Sequence, residues 1–322
     1  MSRSILYILN PAAAAGTAHD RWERWRAALS QRNLHGDVVA TQTRGHAIDL
    51  AAAAANRFDI LAAVGGDGLV GEIASGIIRA RGRATLGILP LGTGNDVATQ
   101  LGITTPETAF ATLDRGAPKP LDAIEVRYRS TSQDQVRHAL VFASVGFAGE
   151  LLRQTTPRVK RWFGPRLCYP IGFVRALFRY RAPPMRIRTE TATFEGAFLH
   201  VGAGNAEWAG GGTMRISPGA RWDDGELDFC LVSAMNRLET AWHFPKLVRG
   251  TFATHPKVRY FRGQWLQIET ASPIDLQLDG ERLGCTPAAF RLLPAALGVL
   301  RPPAGADPVP AGADRGGCKG KT

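Results

Sequence analysis

The stretch that most constrains this chain is Gly65-Gly66-Asp67-Gly68, set at the end of the apolar run Asp59-Ile-Leu-Ala-Ala-Val64. An apolar run that stops in glycines reads as a buried parallel strand entering a loop. Glycine there lets the main chain come closer to a ligand than a β-carbon would allow. The backbone N–H groups then point outward, and a helix beginning near Leu69-Val-Gly-Glu72 adds its positive end. Such a loop suits phosphate. The next apolar run, Thr85-Leu-Gly-Ile-Leu89, ends in a second turn of the same kind, Pro90-Leu-Gly-Thr-Gly-Asn-Asp96. One glycine tetrapeptide alone is an ordinary strand-to-helix turn. Two in register at the ends of successive strands predict the crevice in which open α/β sheets bind nucleotides.

With 322 residues the chain can bury a sizeable core and divide into two domains. Its 45% apolar and 21% charged residues are those of a globular protein. No apolar run approaches the roughly 20 residues that span a bilayer. The N-terminal run is only Ile5 to Leu9 before Asn10-Pro11, too short for a signal peptide, and reads as the first strand. Cys168, Cys230, Cys285 and Cys318 lie far apart without a CxxC pair, which excludes a zinc ribbon or disulfide framework and suits a reducing cytoplasm. The formal charge of +11 calls for an anionic partner: nucleotide, nucleic acid or membrane surface.

In chain order, a helix is predicted over about residues 20–33, with Trp22, Trp25 and Leu29 on one core-facing side. A short strand, Asp37 to Thr41, leads to Gln42-Thr-Arg-Gly-His46 and an Ala-rich helix from Ala47 to Asn56. His46 opens that helix and reads as surface or supporting rather than catalytic. A further helix spans Pro106 to Leu113, and the texture changes over Leu121 to Tyr128. Strands are then predicted at His138–Ser144, Met185–Thr189, Gly196–Val201, Leu227–Val232, Lys257–Phe261, Trp265–Glu269 and Ile274–Leu278. Many strands at short spacing argue for a β-sandwich. The expected division is residues 1–122 as an α/β nucleotide domain, 123–290 as a β-sandwich substrate domain, and 305–322, rich in Gly, Pro and charge, as a disordered tail.

Between Leu151 and Thr189 there are ten Lys/Arg and no Asp/Glu, interleaved with Trp162, Phe163, Tyr169, Phe173, Phe178 and Tyr180. Ile171 to Tyr180 can form a basic amphipathic helix suited to an anionic bilayer surface. A solvated helix face and, as the weakest alternative, nucleic-acid binding use the same residues.

Several further motifs accompany the glycine loops in a fixed order: Asn10-Pro11, Thr41…Gly45-His-Ala47, Gly202-Ala-Gly-Asn205, Gly210-Gly-Gly212, Ser217-Pro-Gly-Ala220, Asp223-Asp-Gly225 and Leu278-Asp-Gly-Glu281. With them the chain resembles the diacylglycerol kinase-like lipid kinases, the family of bacterial diacylglycerol kinases and sphingosine kinases, over about residues 4–300. The resemblance implies an N-terminal α/β domain of the NAD kinase/diacylglycerol kinase type, a C-terminal β-sandwich, and a return of residues 291–304 to the first domain. It places ATP between the domains. Asn10, Gly65, Gly66, Asp67, Gly68 and Glu72 would frame the phosphate site, with Thr41, Gly92, Thr93, Gly94, Asn95 and Asp96 around the nucleotide. Asp224 would help hold Mg²⁺, with the backbone near Arg221 and Glu226. Glu281 matches the general base, and Asp279 would share its side if the strand stays regular. The implied acceptor is a diacylglycerol-like lipid, and the implied location is cytoplasmic, peripheral to the inner membrane. Exposed sheet edges offer a route to a homodimer.

Phosphoryl transfer to an alcohol requires neutralised phosphate charge, a hard cation with oxygen ligands and an acceptor for the hydroxyl proton, which these residue types can supply. The chain departs from the family pattern at Leu69 and Gly71, where Thr and Asn are usual. Two rivals therefore stand beside a lipid kinase: a nucleotide- or lipid-binding homologue with weakened catalysis, and an NAD kinase, which shares Gly-Gly-Asp-Gly.

Overall fold

The computed structural model describes residues 3–13, 18–92, 94–130, 133–155, 157–210, 212–252 and 255–303, without the side chains of 157–161, 163–166, 169, 247 and 248. Thr93 and the tail 305–322 therefore lie outside the described residues.

The apolar runs of the N-terminal third become β1 (Ile5–Leu9), β2 (Asp37–Ala40), β3 (Ile60–Gly65) and β4 (Thr85–Pro90), paired in parallel in the order β2-β1-β3-β4. β1 and β3 are buried along their whole length, as parallel strands covered on both faces must be. The connecting helices are α1 (Ala18–Gln31), α2 (His46–Ala54), α3 (Asp67–Arg79), α4 (Asp96–Gln100) and α5 (Pro106–Arg115). Trp22 and Leu29 of α1 are buried in this core, and Trp25 packs edge-on against Phe110 of α5.

The remainder is rich in strand: β5 (Ala117–Ser130), β6 (Gln133–Ala139), β7 (Phe142–Gly146), β8 (Pro184–Thr189), β9 (Thr193–Gly204), β10 (Trp208–Ala209), β11 (Met214–Arg215), β12 (Leu227–Ser233), β13 (Val258–Gly263), β14 (Trp265–Thr270), β15 (Asp275–Leu278) and β16 (Glu281–Arg301). Its core gathers Phe229, Leu266, Leu276 and Phe290. The fold class is thus α/β followed by a β-rich domain. The two halves are joined by one long antiparallel ribbon, β5 with β16. Phe290 and Leu292 fill the second core, whereas Leu297, Val299 and Leu300 fill the first, where Val299 pairs with Leu86 of β4. A bulge between Leu293 and Leu297 separates these stretches. Buried Asp122 pins it, accepting from Ala295 N at 2.7 Å and from Gly225 N at 2.9 Å.

Three expectations change. The strand foreseen over His138–Ser144 is broken at Leu140-Val141 into β6 and β7, because the backbone N–H groups there bind a carboxylate described below. The basic segment carries more helix than Ile171–Tyr180: α6 (Phe147–Gln154) and α7 (Pro157–Arg179) occupy most of it. A helix that local sequence did not announce, α8 (Arg237–Val248), packs beside α7 with Pro245 inside it.

Candidate active site

Gly66 caps α3 with extended backbone, so the helix starts at Asp67 and its first amides open onto the loop. Close approach explains the glycines on both loops. A β-carbon on Gly92 would lie 2.5 Å from Gly66 Cα, and one on Gly66 would lie 3.1 Å from Gly92 Cα. The two phosphate-type loops therefore touch backbone to backbone, and Leu91 N donates to Gly65 O at 2.8 Å. Asn95, in the left-handed region, braces the second loop by accepting from Gly92 N and donating to Gly92 O, both at 2.9 Å. Asn10 fixes the end of β1 through its N–H to Val64 O and its Oδ1, which accepts from Ala12 N at 3.0 Å.

Asp279 and Gly280 occupy the left-handed region at φ 45° and 82°, and Leu278 pairs with Glu281. Asp-Gly thus forms a two-residue hairpin turn between β15 and β16. The turn breaks the regular strand, so the two carboxylates part. Asp279 turns inward and accepts from Leu140 N, Val141 N and Phe142 N at 2.8–2.9 Å, which is what interrupts β6–β7. Its expected catalytic partnership with Glu281 is replaced by a positioning role. Glu281 turns toward the first domain. A β-carbon on Gly68 would lie 2.1 Å from Glu281 Oε1, so this carboxylate occupies the space beside Gly68 at the start of α3 that a side chain there would contest. Arg44 Nη2 donates to Glu281 Oε2 at 2.9 Å. Glu72 holds the loop bearing Arg44 by accepting from Gly45 N at 2.7 Å, and His46 Nδ1 accepts from Gln42 N within that loop. His46 is therefore a supporting residue. Thr41 N donates to Leu9 O, which sets the loop at the end of β1.

The cleft is lined by Arg44, Asp67, Gly68, Gly71, Glu72, Asp279 and Glu281, together with Ser75, Arg137, His138, Leu278 and Leu283. It adjoins a cavity of about 580 Å³ along α2, α3 and β6 through Arg44, Ser75, Arg137 and His138. Burial pushes the Asp67 carboxyl up to about 7, reinforced by the charges of Asp96 and Asp279, against the amide of Val97 that pulls it down. Burial likewise raises Asp279 to about 6 despite its three amide donors. Asp96 is buried and accepts from Gly210 N at 3.0 Å, which brings Gly210 beside the site. Buried Asn205 donates to the carbonyls of Asp122 and Leu140, tying its motif to the ribbon and to β6–β7. Burial lowers His138 to about 4, so it is neutral in the cleft wall. Of these, Arg137 and His138 carried no signal in the sequence; they reach the cleft only through the pairing of β5 with β6.

The Leu69 side chain is buried and packs beneath Gly65, where a β-carbon would lie 2.7 Å from Leu69 Cδ2. Position 69 thus faces the core and not the phosphates. Gly71 does line the cleft, with nothing nearer than 3.8 Å to a β-carbon placed there.

The expected metal residues, Arg221, Asp224 and Glu226, do not line this cleft. Their turn is neutralised by the chain's own guanidinium groups. Arg262 donates to Asp228 at 3.2 Å and Glu226 at 3.1 Å and stands 3.8 Å from Asp224, while Asp223 pairs with Arg221 and Arg301. Asp224 Oδ1 is further used by Glu226 N. Among the described residues no three acidic, His or Cys side chains converge to hold a metal. The side-chain carboxylates of this turn are thus engaged by arginines.

A glycine-lined phosphate loop at a helix start, met by a carboxylate from a β-rich second domain, is an arrangement for phosphoryl transfer. Two family models match: "diacylglycerol kinase catalytic domain" over residues 4–126 and "YegS C-terminal NAD kinase beta sandwich-like domain" over residues 144–301. A Pseudomonas aeruginosa PAO1 protein named probable lipid kinase YegS-like is 32% identical over 294 residues, 87% of this chain and 93% of its own. A Staphylococcus aureus diacylglycerol kinase (strain bovine RF122 / ET3-1) is 29% identical, covering 85% of this chain and 84% of its own. In fold, a Bacillus anthracis Sterne diacylglycerol kinase superposes with TM-score 0.68 at 23% identity, over 94% of this chain and 98% of that one. The chain belongs to the diacylglycerol kinase and YegS-like family of lipid kinases.

Proposed function

We propose that the protein transfers the γ-phosphate of ATP to the hydroxyl of a diacylglycerol or related lipid alcohol, with Glu281 as general base. The observation that carries this reading is the contact of the Glu281 carboxylate with Gly68, at the start of α3. Amides of Gly65, Gly66 and Gly68 and the positive end of α3 receive the phosphates, with Gly92, Gly94, Asn95 and Asp96 forming the facing wall; Thr93 is proposed as a nucleotide contact from its motif alone. Thr41 and Asn10 support the nucleotide side. Arg44 orients Glu281. The acceptor hydroxyl gives its proton to Glu281 as its oxygen bonds to the γ-phosphorus. The bond to the β,γ-bridging oxygen breaks, and ADP leaves with that electron pair.

Magnesium bound with the nucleotide supplies charge neutralisation to the phosphates. Asp67, which lines the cleft, and neighbouring Asp96 are the carboxylates that would hold it. Asp279 keeps the hairpin in place through its three amides and so positions Glu281.

The weakened-homologue reading rests on Gly71 alone, because Leu69 is turned into the core. The family sets NAD kinase aside. The test is transfer of labelled γ-phosphate from ATP with Mg²⁺ to a panel of lipid alcohols in mixed micelles, with NAD as a control acceptor. Labelled lipid that disappears in Asp67→Ala supports the proposal. Intact ATP binding with no transfer to any acceptor supports the weakened homologue, and labelled NAD overturns both.

A further inference from the structure

Six of the eight large apolar side chains exposed among the described residues lie on just two helices, α7 and α8. On α7, Leu167, Val174 and Phe178 follow at spacings of seven and four and share one helix face, 55%, 51% and 62% exposed. On α8, Leu238 and Trp242 stand four apart at 85% and 77% exposure. The helices are locked together: the Phe173 and Phe244 rings pack at a tilt with centroids 4.0 Å apart, and Arg237 lies over the Phe178 ring while donating to Phe178 O. The two apolar faces therefore belong to one surface.

Its surroundings are cationic. Arg175, Arg179 and Arg181 are exposed on and after α7, and Arg237, Lys246 and Arg249 on and after α8. The acid of α8, Glu239, lies beside Leu238 and Trp242 but is neutralised by Lys257 at 2.7 Å, with His255 at 3.7 Å. Apolar and aromatic tips ringed by Arg and Lys, with no acid between Leu151 and Thr189, match the interfacial layer of a bilayer. None of the helices among the described residues is long and apolar enough to cross one.

We propose that α7 and α8 together form the docking face for an anionic lipid bilayer, with Leu238 and Trp242 as the inserted tips. The inference rests on the lipid-kinase reading only for the need to reach a bilayer. The sequence pointed to residues 151–189 alone; the structure adds α8. The face is mechanically tied to the cleft, since α6 leaves β7 directly and Phe147 packs edge-on against Phe173 and Tyr180. The Phe142 amide at the other end of β7 holds Asp279.

The test is co-sedimentation of the full chain with phosphatidylcholine vesicles, with and without phosphatidylglycerol. The wild type pellets with the anionic vesicles, and Leu238→Ser/Trp242→Ser weakens this about tenfold or more. Arg175→Ala/Arg179→Ala weakens it only for the anionic vesicles and at low salt. Both double variants keep wild-type melting and wild-type transfer to a short-chain diacylglycerol below its micelle threshold. A wild type that ignores anionic vesicles, or a Leu238/Trp242 variant that pellets equally, overturns the proposal. So does a wild-type dimer that this variant dissociates, which would make the face a protein interface. Transfer to the monomeric acceptor reports on the kinase chemistry separately.

Discussion

Two acidic turns of this chain read alike and behave oppositely. Asp279-Gly280-Glu281 and Asp224-Gly225-Glu226 both place glycine at positive φ between two carboxylates. In the first, one carboxylate is buried on three amides and the other reaches into the cleft. In the second, Arg262 spans the carboxylates of the turn and of Asp228. Sequence type does not decide whether an acid meets a ligand or an arginine. What faces it across the sheet does: β13 brings Arg262 opposite Asp228, whereas the hairpin at the end of β15 has the glycine loop opposite.

The strongest way to break the first turn without touching its acids is Gly68→Ala. The new methyl must displace Glu281 Oε1, so kcat falls on the order of 10 to 100-fold while the protein stays folded, as steady-state kinetics and circular dichroism would show. Asp279→Ala strands three amide donors and destabilises by about 2–4 kcal/mol, measurable by urea denaturation.

A third prediction uses pH. Asp67 has a folded pKa of about 7, well above its unfolded value. The stability associated with its proton is complete below the unfolded pKa and is lost as pH rises through about 7. The wild type without nucleotide should lose on the order of 4 kcal/mol between pH 4 and pH 8 from this group. Asp67→Asn removes that slope; an unchanged slope would show that Asp67 does not titrate there.

The second turn answers with small effects. Arg262→Ala costs roughly 1 kcal/mol, since the guanidinium is half-exposed and solvent screens the loss. A chelator leaves the melting temperature of the protein without nucleotide unchanged. A clear fall on chelation would restore a metal to Asp224.

Local signals carried the first domain. Apolar runs ending in glycines gave β3 and β4 with their loops, because phosphate-type turns need residues that tolerate close backbone approach. They could not give the helix α8, whose Pro245 is a local breaker overridden by packing of Phe244 on Phe173. Nor could they give β16, whose length is set by pairing with β5 at the other end of the domain. In the site, Glu281 and Asp67 were legible from their motifs. The inward turn of Asp279 was not, because its partners lie 137 to 139 residues away. Position 69 was legible as a departure, yet only its packing beneath Gly65 shows that it belongs to the core.

The most direct test of the account is turnover by Glu281→Gln with a lipid acceptor, with nucleotide affinity measured on the same protein. We expect a fall in kcat on the order of 10² to 10⁴ with the nucleotide Kd within about threefold of wild type. Turnover retained within about tenfold would contradict it and remove Glu281 from the role of base.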